Sequence, residues 1–215
     1  VDTIFGGGNL AGLTGTALIN MNGGTANKGI YGGCNESGTV DGKIVVEVNG
    51  GTVGVSETVR ANVHGGGYGS ATMTNDSVMV VIGNGADTPV VYGDVYGGSA
   101  LGTINSNTGT ANTNDSTLVV IKKGEIYGDV YGGGLGQKYG VNGATSDIEA
   151  KVWSPVKVTV IGGNVNRYSD GMEMKGGRVF GCNNLKGAPQ VSTLVDIHGG
   201  NIEKGVFGGG NLANA

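Results

Sequence analysis

Apolar and polar positions alternate with a period of two in six segments of this chain. They read ALINMNGGTA, IVVEVNGGTV, VMVVIGNGAD, TLVVIKKGEI, VKVTVIGGNV and TLVDIHGGNI. Aligned, they form two apolar columns. One holds Ile19, Val46, Val80, Val119, Val158 and Val195; the other holds Met21, Val48, Ile82, Ile121, Val160 and Ile197. The column between them, Asn20, Glu47, Val81, Val120, Thr159 and Asp196, is mostly polar. This is the pattern of a strand with one buried face. After a glycine turn Val53, Ile126, Val165 and Ile202 return inward, with Ala26 and Asp87 as weaker members of that column.

A hexapeptide recurs between these segments. It reads IFGGGN from Ile4, IYGGCN from Ile30, VHGGGY from Val63, VYGGSA from Val95, VYGGGL from Val130, VFGCNN from Val179 and VFGGGN from Val206, at intervals of 26, 33, 32, 35, 49 and 27 residues. Self-similarity at this scale indicates a solenoid or repeat array rather than a globular enzyme domain. Each unit supplies two or three short strands joined by glycine turns, since glycine permits the φ > 0 that sharp corners use. Glycine interrupts nearly every ten-residue window, so helix is not expected.

The expected fold is all-β: a parallel, right-handed β-helix of about six to seven rungs, roughly 30–35 Å long. It forms one repeat domain over residues 1–215, with a β-prism or sandwich as the alternative. Longer intervals mark insertions at Ser99–Asp115, Gln137–Pro155 and Asn166–Gly176. The chain opens on IFGGGNLA and closes on VFGGGNLA, which fits a piece of a longer array.

Glycine accounts for 47 of 215 residues without a three-residue period, which excludes collagen. The hydrophobic fraction of 38% suffices for a core. Net charge is −4 with scattered basic residues, so no nucleic-acid or anionic-membrane partner is expected. No apolar run reaches the roughly 18 residues of a membrane helix, so no membrane insertion is expected, and VDTIFGGGNL lacks the features of a signal peptide. Cys34 and Cys182 lie four repeats apart, about 19 Å on stacked rungs, beyond disulfide reach.

Candidate chemistry is sparse. GGGNLAG and GTVDGK fail the dinucleotide and phosphate-loop spacings. Asp94 and Asp129 occupy equivalent places in YGDVYGG, where other repeats carry Gly29, Asn62, Arg178 or Gly205. On successive rungs their carboxylates would lie about 5 Å apart, able to hold Ca²⁺ or to act as acid and base. The alternative is a solvated polar corner.

The second hexapeptide position aligns Phe5, Tyr31, His64, Tyr96, Tyr131, Phe180 and Phe207. Facing outward, it would be an aromatic strip suited to sugars or a protein; folded over the adjacent glycines, it would be a core stack. The outward residues Met79, Val81, Leu118 and Val120 need cover, with Trp153 of the second insertion as a lid, or else form an interface. His64 replaces a ring, and His198 reads as a solvated turn neighbour. Lys122 and Lys123 read as an exposed strand end.

The alternating β-branched strands, GG turns and V-[YF]-GGG-N words resemble glycine-rich, adhesin-like β-solenoids of bacterial surfaces. The resemblance implies an exported, extracellular or cell-surface module, part of a larger molecule, whose partner is a glycan, a host or bacterial surface protein or another copy of itself. It carries over no catalytic residue and no cofactor. Tyr96, Tyr131, Asp94, Asp129 and Trp153 are the candidate ligand-binding residues. Two alternatives stand beside a non-catalytic module. One is a β-helical polysaccharide lyase or hydrolase using Asp94, Asp129, Arg167 and Asp170. The other is a self-assembling structural stalk.

Overall fold

The computed structural model describes residues 1–105 and 110–213. The predicted insertion Ser99–Asp115 therefore falls partly outside the described residues. Among them the chain forms short β-strands and no helix.

The seven hexapeptide copies build one seven-stranded parallel sheet in sequence order. Its register is the sequence alignment itself. Val63, Val95, Val130 and Val179 are paired in succession, and beside them His64, Tyr96, Tyr131 and Phe180. A second sheet stacks Ser37–Val40, Ala71–Thr74 and Thr103–Ile104, and single bridges continue it at Leu13, Val152 and Pro189. The third and largest sheet carries the alternating segments, pairing Ile19 with Val46, Val46 with Val80, Val80 with Val119, Val119 with Val158 and Val158 with Val195. The named strands pair in parallel except Asn164–Ser169 with Met174–Gly176, an antiparallel hairpin made by the third insertion.

The inward Val and Ile columns of all three sheets form one continuous core, with Val40, Val46, Val80, Val95, Ile104, Val119 and Val158 fully buried. Like residues stack on like because each repeat pairs only with its neighbours. Cys34 and Cys182 are buried, unpaired thiols.

Two details depart from the sequence reading. Asp87 is exposed in a long turn, and Val91 takes its place in the inward column, paired with Val53 and Ile126. The turn before Val91 is longer than in the other repeats, which shifts the register of the simple alignment. Glycines also serve two purposes. Gly24 and Gly51, in the strand turns, have φ of 78° and 76°, the left-handed region. Gly65 of the hexapeptide does not; a Cβ there would collide with the Gly97 carbonyl oxygen and the Val78 side chain. The hexapeptide glycines therefore permit close approach of neighbouring repeats, not corner dihedrals.

Candidate functional site

The chain enters each strand of the seven-stranded sheet at the position held by Asn62, Asp94, Asp129 and Arg178. Here the side chain of one repeat replaces a carbonyl for the next. The Asp94 N–H donates to Asn62 Oδ1 at 2.8 Å, the Asp129 N–H to Asp94 Oδ1 at 2.9 Å, and the Arg178 N–H to Asp129 Oδ1 at 2.9 Å. Two residues on, and so on the same face of the strand, Tyr96 Oη donates to Asp94 Oδ2 at 3.0 Å and Tyr131 Oη to Asp129 Oδ2 at 3.1 Å.

Arginines complete the network. Arg178 grips Asp129 through Nε and Nη2, the latter 2.6 Å from Oδ2. Arg60, from the loop after Gly54, sets Nη2 3.5 Å from Asp94 Oδ1, donates from Nη1 to the Tyr127 carbonyl at 2.5 Å, and lies 3.3 Å over the Tyr168 ring. Asp129 retains 6% of its side-chain surface and Asp94 21%. Burial and the neighbouring Asp129 charge raise the Asp94 carboxyl above the usual range, opposed by the Asp129 N–H, Arg60 and the Tyr96 hydroxyl. Burial pushes the Tyr96 and Tyr131 hydroxyls well up, and the hydrogen bonds to Asp129 raise Arg178 despite its partial desolvation.

A cleft of about 360 Å³ opens in front of these groups. Asp94, Asp129 and Tyr131 line it together with Glu173, Lys175, Lys204 and Asn211. Its chemistry is that of a hydrogen-bonding surface. Each of the four carboxylate oxygens already accepts at least one bond from a backbone N–H, a tyrosine hydroxyl or Arg178. Ca²⁺ at Asp94 and Asp129 would have to displace Arg178 from Asp129, and among the described residues no group of three or more His, Cys, Asp or Glu is arranged to hold a metal. Of the other residues in the enzymatic alternative, Arg167 donates to the Met174 carbonyl, and Asp170 binds Lys175 and the turn N–H groups of Met172 and Glu173. The third insertion therefore brings its charges to the cleft rim already engaged.

The aromatic column is a continuous ladder, with successive ring centroids 4.5–5.2 Å apart and planes within 15°. The expectation of sugar-facing rings at Tyr96 and Tyr131 is corrected: both are buried. They lie on the side of the sheet opposite Val95 and Val130, yet Leu135 packs over them and Asn184 Nδ2 donates to the Tyr96 hydroxyl at 2.9 Å. Leu135 and Asn184 hold the sixth hexapeptide position, which folds back onto the ladder. At one end of the stack Phe5 and Tyr31 are half-buried and Tyr68, another sixth-position residue, packs at right angles to Tyr31 at 5.2 Å; at the other end Phe207 is exposed. The sequence held a signal for Tyr68: it stands where the other copies have Asn, Ala or Leu.

Trp153 follows Val152, whose bridge to Ile104 places it on the three-stranded sheet; it is half-buried beside Lys151. It is not among the residues lining the Asp94–Asp129 cleft. Of the outward patch, Val81 is buried and Met79, Leu118 and Val120 are half-buried, on two adjacent paired strands. His64 stacks between Tyr31 and Tyr96, and exposed His198 lies 3.0 Å from Asp196. Lys122 is exposed, whereas Lys123 is half-buried and reaches the Ala86 carbonyl.

No family model, curated protein or solved structure matches this chain.

Proposed function

We propose that the chain is a β-helix segment acting as a non-catalytic, adhesin-like module at the cell surface, binding a glycan or protein partner through its loops and one lateral face. Support for the β-helix is the in-order parallel pairing of equivalent strands in three sheets around a single core, with right-handed crossovers the physical expectation. The observation that carries the non-catalytic reading is the engagement of all four carboxylate oxygens of Asp94 and Asp129 by donors within the fold. A general acid or nucleophile needs an oxygen directed at substrate. Here Asp129 is held by Arg178, and the pair functions as a structural ladder.

The lyase or hydrolase reading keeps one favourable observation, the raised Asp94 carboxyl at the edge of a cleft.

Affinity electrophoresis through gels containing individual polysaccharides tests the binding reading, with matched runs in Ca²⁺ and in EDTA. Retardation by a particular glycan, equal under both conditions, is expected. Retardation by none of them, together with capture of no surface protein, would sink the module reading. Light scattering that rises steeply with concentration would move the weight to the stalk.

A further inference from the structure

The Phe5 end of the aromatic ladder lies on a groove that the corner carboxylates do not form. One cleft of about 290 Å³ is lined by Phe5, Tyr31 and Tyr68, with Thr3 and Asn35 at its margin. A second, of about 400 Å³, lies on the other side of Tyr68 beneath the insertion at Val141–Thr145. Tyr68 is the wall common to both, and 47% of its surface remains exposed. Leu185 is shared in the same way between the second cleft and the one before Asp129. The first two clefts therefore follow one another along the stacking direction of the repeats, and the charged cleft before Asp129 lies beside the second.

We infer that the two clefts meeting at Tyr68 are a binding groove for a linear, neutral oligosaccharide, with the exposed Tyr68 ring as its central platform. This rests on the proposal of a glycan-binding module and gives it a location and a ligand class. Three observations select the occupant. The lining is close to neutral: the second cleft contains no acidic or basic side chain, and the only charged one in the first, Lys28, is paired with Asp2 at 2.7 Å. An anionic polymer would find no cation free to meet it.

Tyr31 is stacked between Phe5 and His64 and meets Tyr68 with its edge, which covers at most one face of the Tyr68 ring. With 47% of Tyr68 exposed, the other face is the platform for the C–H face of a pyranose. Hydroxyl partners lie alongside. Among the described residues Asn142 and Thr145 make no side-chain hydrogen bond to the protein, and Asn35, bonded through Nδ2 to Asn9, keeps its amide oxygen for a donor. A groove walled by apolar and aromatic groups with a few placed amides and hydroxyls fits a neutral sugar chain.

The test is calorimetric titration of the chain with neutral linear hexasaccharides of β-1,4-glucose, β-1,4-xylose, β-1,4-mannose, α-1,4-glucose and β-1,4-N-acetylglucosamine, with the matching trisaccharides. At least one hexasaccharide is expected to bind, more tightly than its trisaccharide. Tyr68→Ala should weaken it about tenfold or more, while Tyr68→Phe, which keeps the ring, should bind within about threefold of the parent. Unchanged melting of both variants identifies the loss as one of contact. If a hexasaccharide binds and Tyr68→Ala leaves its affinity unchanged, the groove assignment falls while the glycan-binding reading survives. Should none of the probes bind, the groove is overturned, and a protein partner takes the place of the glycan.

Discussion

Asp94 Oδ1 accepts the backbone N–H of Asp129, 35 residues later in the chain, at 2.9 Å. The same oxygen-to-amide bond links Asn62 with Asp94 and Asp129 with Arg178. A side chain thus performs between repeats the task of a strand carbonyl, at the point where the backbone turns into the sheet. This requires an acceptor at the position but not a charge, as Asn62 demonstrates.

The two aspartates should therefore respond differently to amide substitution. Asp129→Asn retains an acceptor for the Arg178 N–H but leaves the guanidinium without its anion, and is expected to cost about 2–4 kcal/mol. Asp94→Asn retains the acceptor, removes a buried like charge and faces Arg60 only at 3.5 Å; it should stay within about 1 kcal/mol of the parent. Urea unfolding at pH 7 measures both. Equal costs would contradict the ladder.

Glycine roles separate by substitution. Gly65→Ala drives a Cβ into the Gly97 carbonyl and Val78, and should destabilise by about 3 kcal/mol or more, or prevent folding. Gly23→Ala meets open space at an ordinary φ and should be neutral or stabilising by up to about 1 kcal/mol. Melting temperatures of the pair, read against the parent, check this.

His64 makes stability depend on pH in a defined direction. Burial in the ring stack lowers its pKa from 6.5 to about 3, and Nδ1 has no hydrogen-bond partner among the described residues. Below pH 6.5 the unfolded chain takes up a proton that the folded chain refuses, so stability falls as pH drops from 6.5 towards 3, by about 2 kcal/mol between pH 7 and 5. Asp94, with a raised pKa, works in the opposite sense, since ionisation disfavours its folded state. His64→Phe, which places in the column the ring found at Phe180, should remove the His64 contribution. Denaturant midpoints of parent and variant at pH 5 and 7, in matched buffers, isolate it; parallel shifts in both proteins would refute the assignment.

The strand columns and the register of the hexapeptides were legible because a period of two and a repeated word specify which residues stack, and parallel pairing preserves that order. Asp87 escaped this logic: a lengthened turn moves the inward position to Val91, and turn length does not show in an apolar pattern. For Tyr96 and Tyr131 the alignment left two arrangements, an outward strip and a core stack folded over the glycines, and the core stack is the one found. Alternation places their rings opposite the valines, but cover comes from Leu135 and Asn184, which fold back only once the chain is built. The Asp94–Asp129 juxtaposition was readable from YGDVYGG. The grip of Arg178 on Asp129 was not, since alignment put Arg178 in the same column and so implied a substitute rather than a partner. Arg60, from a loop, meets Tyr168 of the hairpin strand Asn164–Ser169, a contact between distant repeats without a local sequence signature.

The most direct test of a binding module with structural carboxylates is the release of new reducing ends from a polysaccharide panel by the parent chain and by Asp94→Asn, with Ca²⁺ and with EDTA. The account predicts no release from any substrate in either protein. Release by the parent that Asp94→Asn abolishes, with its fold intact, would contradict the account and make the corner an active site.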